Sequence, residues 1–224
     1  MNDFLSTTFR VSAKERIPFH CSGCGECCQH VKQSVPLEGL DVFRLTKLLK
    51  ERDETIICID DFIERYTEMT LIDECGYFMF MLMVVGTDDA CVFLKDNRCM
   101  VHDANPRACR LYPFVAEPKE DGRFGFLISR EKTHHFHGSP VKVKSWMNRF
   151  FSQEDREFLQ MDMGSAVAIA KLLKTIPDDR KAHALMLFWR YKYSDFDLEE
   201  PFLEQYRRNL QQLILALKTL SGQR

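Results

Sequence analysis

The run Cys21-Ser22-Gly23-Cys24-Gly25-Glu26-Cys27-Cys28 places four thiols within eight residues. A hydrophobic core has no use for sulfur at that density, because a buried free cysteine packs as a small apolar side chain and normally occurs singly. The stretch therefore reads as a chelating loop. Two residues between cysteines let a tight turn carry both sulfurs to one ion, as Cys21 with Cys24 and Cys24 with Cys27 would. Adjacent Cys27 and Cys28 cannot easily point the same way, so one of them can face a second ion or the core. Gly23 and Gly25 permit the positive φ angles with which a backbone folds around an ion.

Working outward, three more thiols follow at Cys91, Cys99 and Cys109. Together the seven exceed the four ligands of a structural zinc site, which leaves a cluster, a binuclear site, or one site with spectator thiols. Thiolates suit zinc, cuprous copper and the iron of iron–sulfur clusters. Cys21, Cys24 and Cys27 match the Cys-x2-Cys-x2-Cys opening of bacterial ferredoxin ligation, and Cys28 interrupts the usual run. The candidate ligands are thus Cys21, Cys24, Cys27, Cys28, Cys91, Cys99 and Cys109, and the cofactor expected on them is an iron–sulfur cluster or zinc. Such a centre would staple the N-terminal loop to later strands. Cys58 and Cys75 each stand alone in an apolar context and read as non-ligands.

Other side chains near the cysteines are ambiguous. His20, His30 and His102 lie close in sequence and read first as ordinary polar residues. His134, His135 and His137 put three imidazoles within four residues, which is either a ligand source or a polar surface loop. Arg107, Arg110 and Tyr112 flank Cys109, and Arg110 and Tyr112 read as packing that stabilises the cysteine loop rather than as an anion site or as hydrogen-bond donors that tune a cluster. No Ser/His/Asp order, paired carboxylates or phosphate loop stands out, so whether the chain is an enzyme is left open.

With 224 residues, 45% hydrophobic and 29% charged, the composition is that of a globular protein. A net charge of −2 gives no overall electrostatic case for nucleic acid. Met1 to Arg10 lacks the apolar core of a signal peptide. The longest apolar run, Tyr77 to Val85, falls far short of the roughly 20 residues that span a bilayer. A cytoplasmic protein without membrane insertion is the resulting expectation. Thiols stay reduced in that compartment, and nine cysteines is an odd number, so ligation is favoured over a disulfide framework.

Periodicity predicts an extended Ile17 to His20, a helix opened by Pro36 and Glu38, and a second helix over Asp60 to Met69. It predicts strands at Tyr77 to Val85 (buried on both faces), Ala90 to Leu94 and Arg123 to Ser129, with a turn at Asp96-Asn97-Arg98. From Val141 the chain reads as helical. Ser152 with Asp155 resembles a capping box for a helix reaching Pro177, with a possible interruption at Gly164. An internal helix follows over Ala182 to Tyr193, and a last one starts at Pro201. Asp178 to Lys181 reads as a solvated helix start. The fold expected is α+β: small antiparallel strands and helices around a cysteine-ligated centre, with an α-helical C-terminal half. The composition shift near Ser139-Pro140 suggests a metal-binding region 1–139 and a helical region 140–224, packed together as one domain.

The whole pattern is Cys-x2-Cys-x2-Cys-Cys, Cys91-Val92-Phe93-Leu94, Cys99, and Asn105-Pro106-Arg107-Ala108-Cys109-Arg110-Leu111-Tyr112-Pro113-Phe114. It resembles the YkgJ-like cysteine-cluster family, whose members are described as zinc- or iron-chelating. The Leu37 to Leu49 and Asp61 to Tyr66 segments are similar as well, so the resemblance covers about residues 19–140. Two departures stand out: Asn105-Pro106-Arg107 replaces the usual Arg-Pro, and Thr133 to Gly138 stands where members often carry a late Cys-Pro-Gly. Imidazole there could replace the missing thiolate. The resemblance extends to flagellin lysine-N-methylases, longer chains with the same cysteines, and so implies a role in S-adenosylmethionine-dependent protein methylation. No Gly-x-Gly-x-x-Gly cradle accompanies it. A redox or protein-modifying metal protein and a structural zinc module that recognises a protein partner are the two function classes compatible with these residues.

Overall fold

The computed structural model describes residues 7–222; the first six residues of the N-terminal lead-in and the last two of the chain lie outside the described residues. The architecture is α+β, with short antiparallel strands and a helical C-terminal part. The chain forms two compact units. One comprises the described residues up to Val35 with Val84–Arg156, and the other comprises Pro36–Met83 with the described residues from Glu157 onward.

In the cysteine-bearing unit, strand Phe124–Ser129 lies between Thr8–Val11 and Phe114–Pro118 in an antiparallel sheet. Phe114 and its partner Ile128 are buried, so one face of the sheet supplies core. Against that face packs helix Val143–Phe150, with Trp146 6.2 Å from the Phe114 ring and its indole N–H donating to the Leu111 carbonyl at 3.0 Å. Arg16–Pro18 pairs with Pro140–Lys142. Val141 is therefore in a strand, opposite Ile17, and the helix starts two residues later than periodicity predicts. A β-branched residue beside proline suits the ladder, and its partner lies too far back in sequence for a local pattern to reveal.

Ser152 and Asp155 form the expected reciprocal cap. Ser152 N–H donates to the Asp155 carboxylate at 3.0 Å, and Asp155 N–H donates back to Ser152 Oγ at 3.1 Å. Arg110 completes the arrangement by donating to Asp155 at 2.8 Å and to the carbonyls of Phe150 and Asn105. Arg110 thus steadies the start of this helix and the Asn105 carbonyl, where the sequence reading has it pack the cysteine loop. The helix so started, Gln153–Thr175, runs unbroken through Gly164. A lone helical glycine costs about 1 kcal/mol relative to alanine, which 23 residues of helix absorb.

In the other unit, Phe78–Leu82 lies between Pro36–Leu37 and Thr67–Leu71. The predicted second helix is Ile59–Tyr66 only, and Thr67 to Met69 belong to a strand. Thr67 ends the helix by donating its hydroxyl to the Ile63 carbonyl at 2.7 Å, after which its branched side chain favours the extended form. The predicted strand Tyr77 to Val85 is also shortened: Val84–Val85 pairs separately with Ala90–Cys91 in the first unit. Helix Gly39–Lys50 is capped reciprocally by Glu38 and Asp41, and a side chain at Gly39 would collide with the Lys192 carbonyl oxygen.

Helix Asp178–Trp189 is not internal along its length. Met186 is 69% exposed, whereas Ala184 and Phe188 are buried. Burial becomes continuous only at its end, where a π-helical turn, Arg190–Ser194, carries Lys192 and Tyr193 inward. Phe202–Leu220 closes the fold with Phe202, Tyr206, Leu213 and Leu217 buried, and Tyr206 packs against Phe158 at 4.9 Å. Among the described residues no helix is long and apolar enough to cross a membrane.

Candidate metal centre

None of the nine cysteines is in a disulfide. The loop that opens the site has little regular structure beyond a 3-10 turn, Glu26–Cys28, entered through Gly25 at φ 78°. Only glycine adopts that angle cheaply, and a Cβ there would also sit 3.0 Å from the Asn97 carbonyl oxygen. Asn97 and Asp96, at φ 57° and 49°, form the two-residue turn between strands Leu94–Lys95 and Arg98–Cys99. The close approach at Gly25 therefore seats the loop on the hairpin that carries Cys99. Backbone bonds from His30 to Asp88 (2.9 Å) and Val31 to Asp89 (3.0 Å) fasten it to the turn preceding Cys91. Cys109 comes from the short helix Arg107–Leu111.

Two groups of candidate donor atoms result. In the first, the sulfurs of Cys27 and Cys28 lie 3.9 Å apart. The hydrogen bond from Cys28 leads the effects that lower Cys27 to about 7, with Lys132 adding a favourable charge. Cys28 is driven far up by sharing that bond, by burial, and by the charges of Cys27, Cys109 and Cys91. Burial likewise raises Cys91, assisted by Cys99 and Cys27, and raises Cys99, assisted by Cys27 and Asp103. These five thiols are thus electrostatic neighbours. Ionising them together without a cation is unfavourable.

In the second group, Cys24 Sγ lies 3.3 Å from His135 Nε2 and 3.9 Å from His134 Nε2. Among the described residues, these three are the group whose ligand atoms all fall within 4.8 Å of one another. The His135 hydrogen bond, then the Glu26 backbone and His134, lower Cys24 to about 6, so its thiolate predominates at neutral pH. His135 is 3% exposed, its Nδ1 is 3.0 Å from the Tyr112 hydroxyl, and its carbonyl accepts from His20 N–H at 3.0 Å. Tyr112 itself is raised, by burial first and then by the charges of Cys27, Glu131, Cys21 and Cys24, so its hydroxyl stays protonated. His134 Nε2 faces the Glu26 carboxylate at 3.3 Å.

Of the seven predicted thiols, the structure brings Cys27, Cys28, Cys91, Cys99 and Cys109 into one electrostatic field and turns Cys24 towards two imidazoles. Cys21 is exposed, and its charge is felt at Tyr112. His134 and His135, undecided from sequence, are brought to the site, and the dense His run was their one signal. His137 stacks obliquely on His20, with rings 5.5 Å apart, and His30 and His102 do not join the group of three. Cys58 and Cys75 belong to the other unit, Cys58 donating weakly to Asp61 at 3.4 Å.

Compared with curated proteins and with solved structures, the chain matches none. The sequence model of one family, CxxCxxCC, described as "Putative zinc- or iron-chelating domain", matches residues 20–137. The match begins at the residue before the first loop cysteine and ends in the His run, so it takes in every side chain of both groups. It covers more than half of the 224 residues, and the chain belongs to the CxxCxxCC family of zinc- or iron-chelating domains.

Proposed function

We propose that the chelating function is exercised through an iron–sulfur centre whose ligands are drawn from Cys27, Cys28, Cys91, Cys99 and Cys109. The observation that carries this reading is the spread of those sulfurs. They share one electrostatic field, yet no three of them fall within 4.8 Å of one another among the described residues. Ligand atoms on a single tetrahedral ion sit about 3.3–3.8 Å apart, given bonds of about 2.0–2.3 Å. A cluster of four irons and four sulfides separates its thiolates further, because each binds a different iron, and four cysteines complete it. Bound there, such a centre supplies one-electron redox chemistry. The chain's own part is to gather the thiols, bury Cys91 and place Lys132 where it offsets the charge of Cys27.

Protein purified anaerobically is expected to contain iron and acid-labile sulfide in comparable amounts, with a visible absorption that bleaches on reduction. A colourless protein carrying zinc and no sulfide would overturn the cluster and support a structural zinc module instead, one that unfolds on chelation.

A further inference from the structure

We infer that Cys24, His134 and His135 form a second metal site, separate from the thiol pool, for a single divalent ion of zinc type. It shares its loop with the proposed cluster but rests on that reading only for the identity of the neighbouring thiols. The ligand-atom separations, 3.3 and 3.9 Å from sulfur to the two ring nitrogens, bracket those of one tetrahedral ion. The third separation, between the two imidazoles, is within 4.8 Å.

The orientation of His135 is built rather than incidental. Tyr112 engages Nδ1, the backbone of His20 engages the carbonyl, and the edge of Phe19 packs on the ring at 6.1 Å. What remains free to coordinate is Nε2, and it points at Cys24. An imidazole held through its far nitrogen by a fixed oxygen is the usual outer arrangement of a metal-bound histidine. One thiolate with two imidazoles is a borderline donor set that suits zinc, with water as the fourth ligand, and the Glu26 carboxylate 3.3 Å from His134 Nε2 adds negative charge beside it. Among the described residues Cys24 forms no group within the same 4.8 Å limit with two of the other thiols.

The test uses the full chain produced in zinc-depleted medium, loaded anaerobically with iron and sulfide, and titrated with cobalt(II). One equivalent of cobalt is expected to give intense tetrahedral visible bands with a sulfur charge-transfer band. His134→Ala, at an exposed position, should weaken cobalt binding at least tenfold, and Cys24→Ser should abolish the charge-transfer band, each with iron and sulfide retained. Cys91→Ser with Cys99→Ser should do the reverse. If His134→Ala and Cys24→Ser leave the cobalt bands intact, or remove iron and sulfide together with them, the separate site is refuted. Iron and sulfide without cobalt uptake would sink this inference and leave the cluster standing; cobalt uptake without iron or sulfide would do the opposite. Because His135 is buried, it is not relied on as a variant, and circular dichroism of the two chosen variants excludes unfolding as the cause.

Discussion

Lys192 shows how much one side chain can commit a fold to. It is 3% exposed, 2.5 Å from Asp162 and 3.0 Å from the Tyr77 hydroxyl, while Tyr206 donates to the same Asp162. Burial works against its charge, but Asp162 together with Tyr206, Tyr77 and Tyr193 outweighs that and holds the ammonium well above its ordinary pKa. Removing one partner of a buried pair typically costs about 3–5 kcal/mol, since the other charge stays behind in a poor solvent. Lys192→Met should therefore destabilise by about that much in urea unfolding. Adding Asp162→Asn should recover a large part, and equal stabilities for the single and double variants would refute the pairing. The pH dependence follows the same group. Lys192 is raised, and Tyr206, Tyr193 and Tyr77 are raised chiefly by burial. All four bind protons more tightly when folded, so their stabilisation is complete below unfolded values of about 10 to 10.4 and is lost as pH climbs through the folded ones. Stability should fall steadily above about pH 10, and a flat profile from pH 8 to 11 would contradict the assignment. Nothing local in Arg190-Tyr191-Lys192-Tyr193 signals this. The internal helix read over Ala182 to Tyr193 has no local feature that marks Lys192 as its buried cation; the π turn Arg190–Ser194 carries it to Asp162, thirty positions back in sequence.

At the scale of elements, the centre depends on two left-handed turns meeting face to face. Gly25 is the residue on which that meeting turns, since its φ of 78° and its 3.0 Å approach to the Asn97 oxygen are both closed to a side chain. Gly25→Ala should push the 3-10 turn off the hairpin and lower metal retention at least tenfold in competition with a chelator. Gly23→Ala separates the two causes, because Gly23 has a similar φ of 67° but open space around it. The Gly23 variant should bear only the conformational cost, about 1 kcal/mol. Equal losses in both would show that backbone angle alone, and not the contact with Asn97, governs the loop. Such turns are legible in a sequence, as are the thiol spacing and the Ser152–Asp155 cap, because each is set by residues a few positions apart. What local pattern misses is pairing across long separations. Thr67 to Met69 reads as helix until Phe78–Leu82 offers it a ladder, Val141 does so until Ile17 does, and Cys24 meets its imidazoles only across 110 intervening positions or so.

At the scale of the molecule, the chain passes between its two units three times, and every side chain of both ligand groups lies in one of them. That unit is poorly equipped to hold its centre together unaided. The strands bearing Cys91 and Cys99 are two residues each, paired with two-residue partners. Isolated ladders that short have no independent stability in water. The other unit rests on long helices and on buried rings such as Phe158, Phe202 and Tyr206, which owe nothing to metal. Metal loss should therefore act by unit and not by halves of the sequence. After chelation, hydrogen exchange is expected to accelerate strongly across residues 24–31 and 91–111, while Phe158 to Leu173 and Phe202 to Leu217 keep their protection. Residues 39–50, which precede most of the ligands in sequence, should keep theirs too, because they belong to the helical unit. Uniform loss of protection would mean that the units unfold cooperatively. No loss around Cys91 and Cys99 would mean that the metal binds a framework already stable without it, and in that case the thiols serve the ion's chemistry and contribute nothing to the fold.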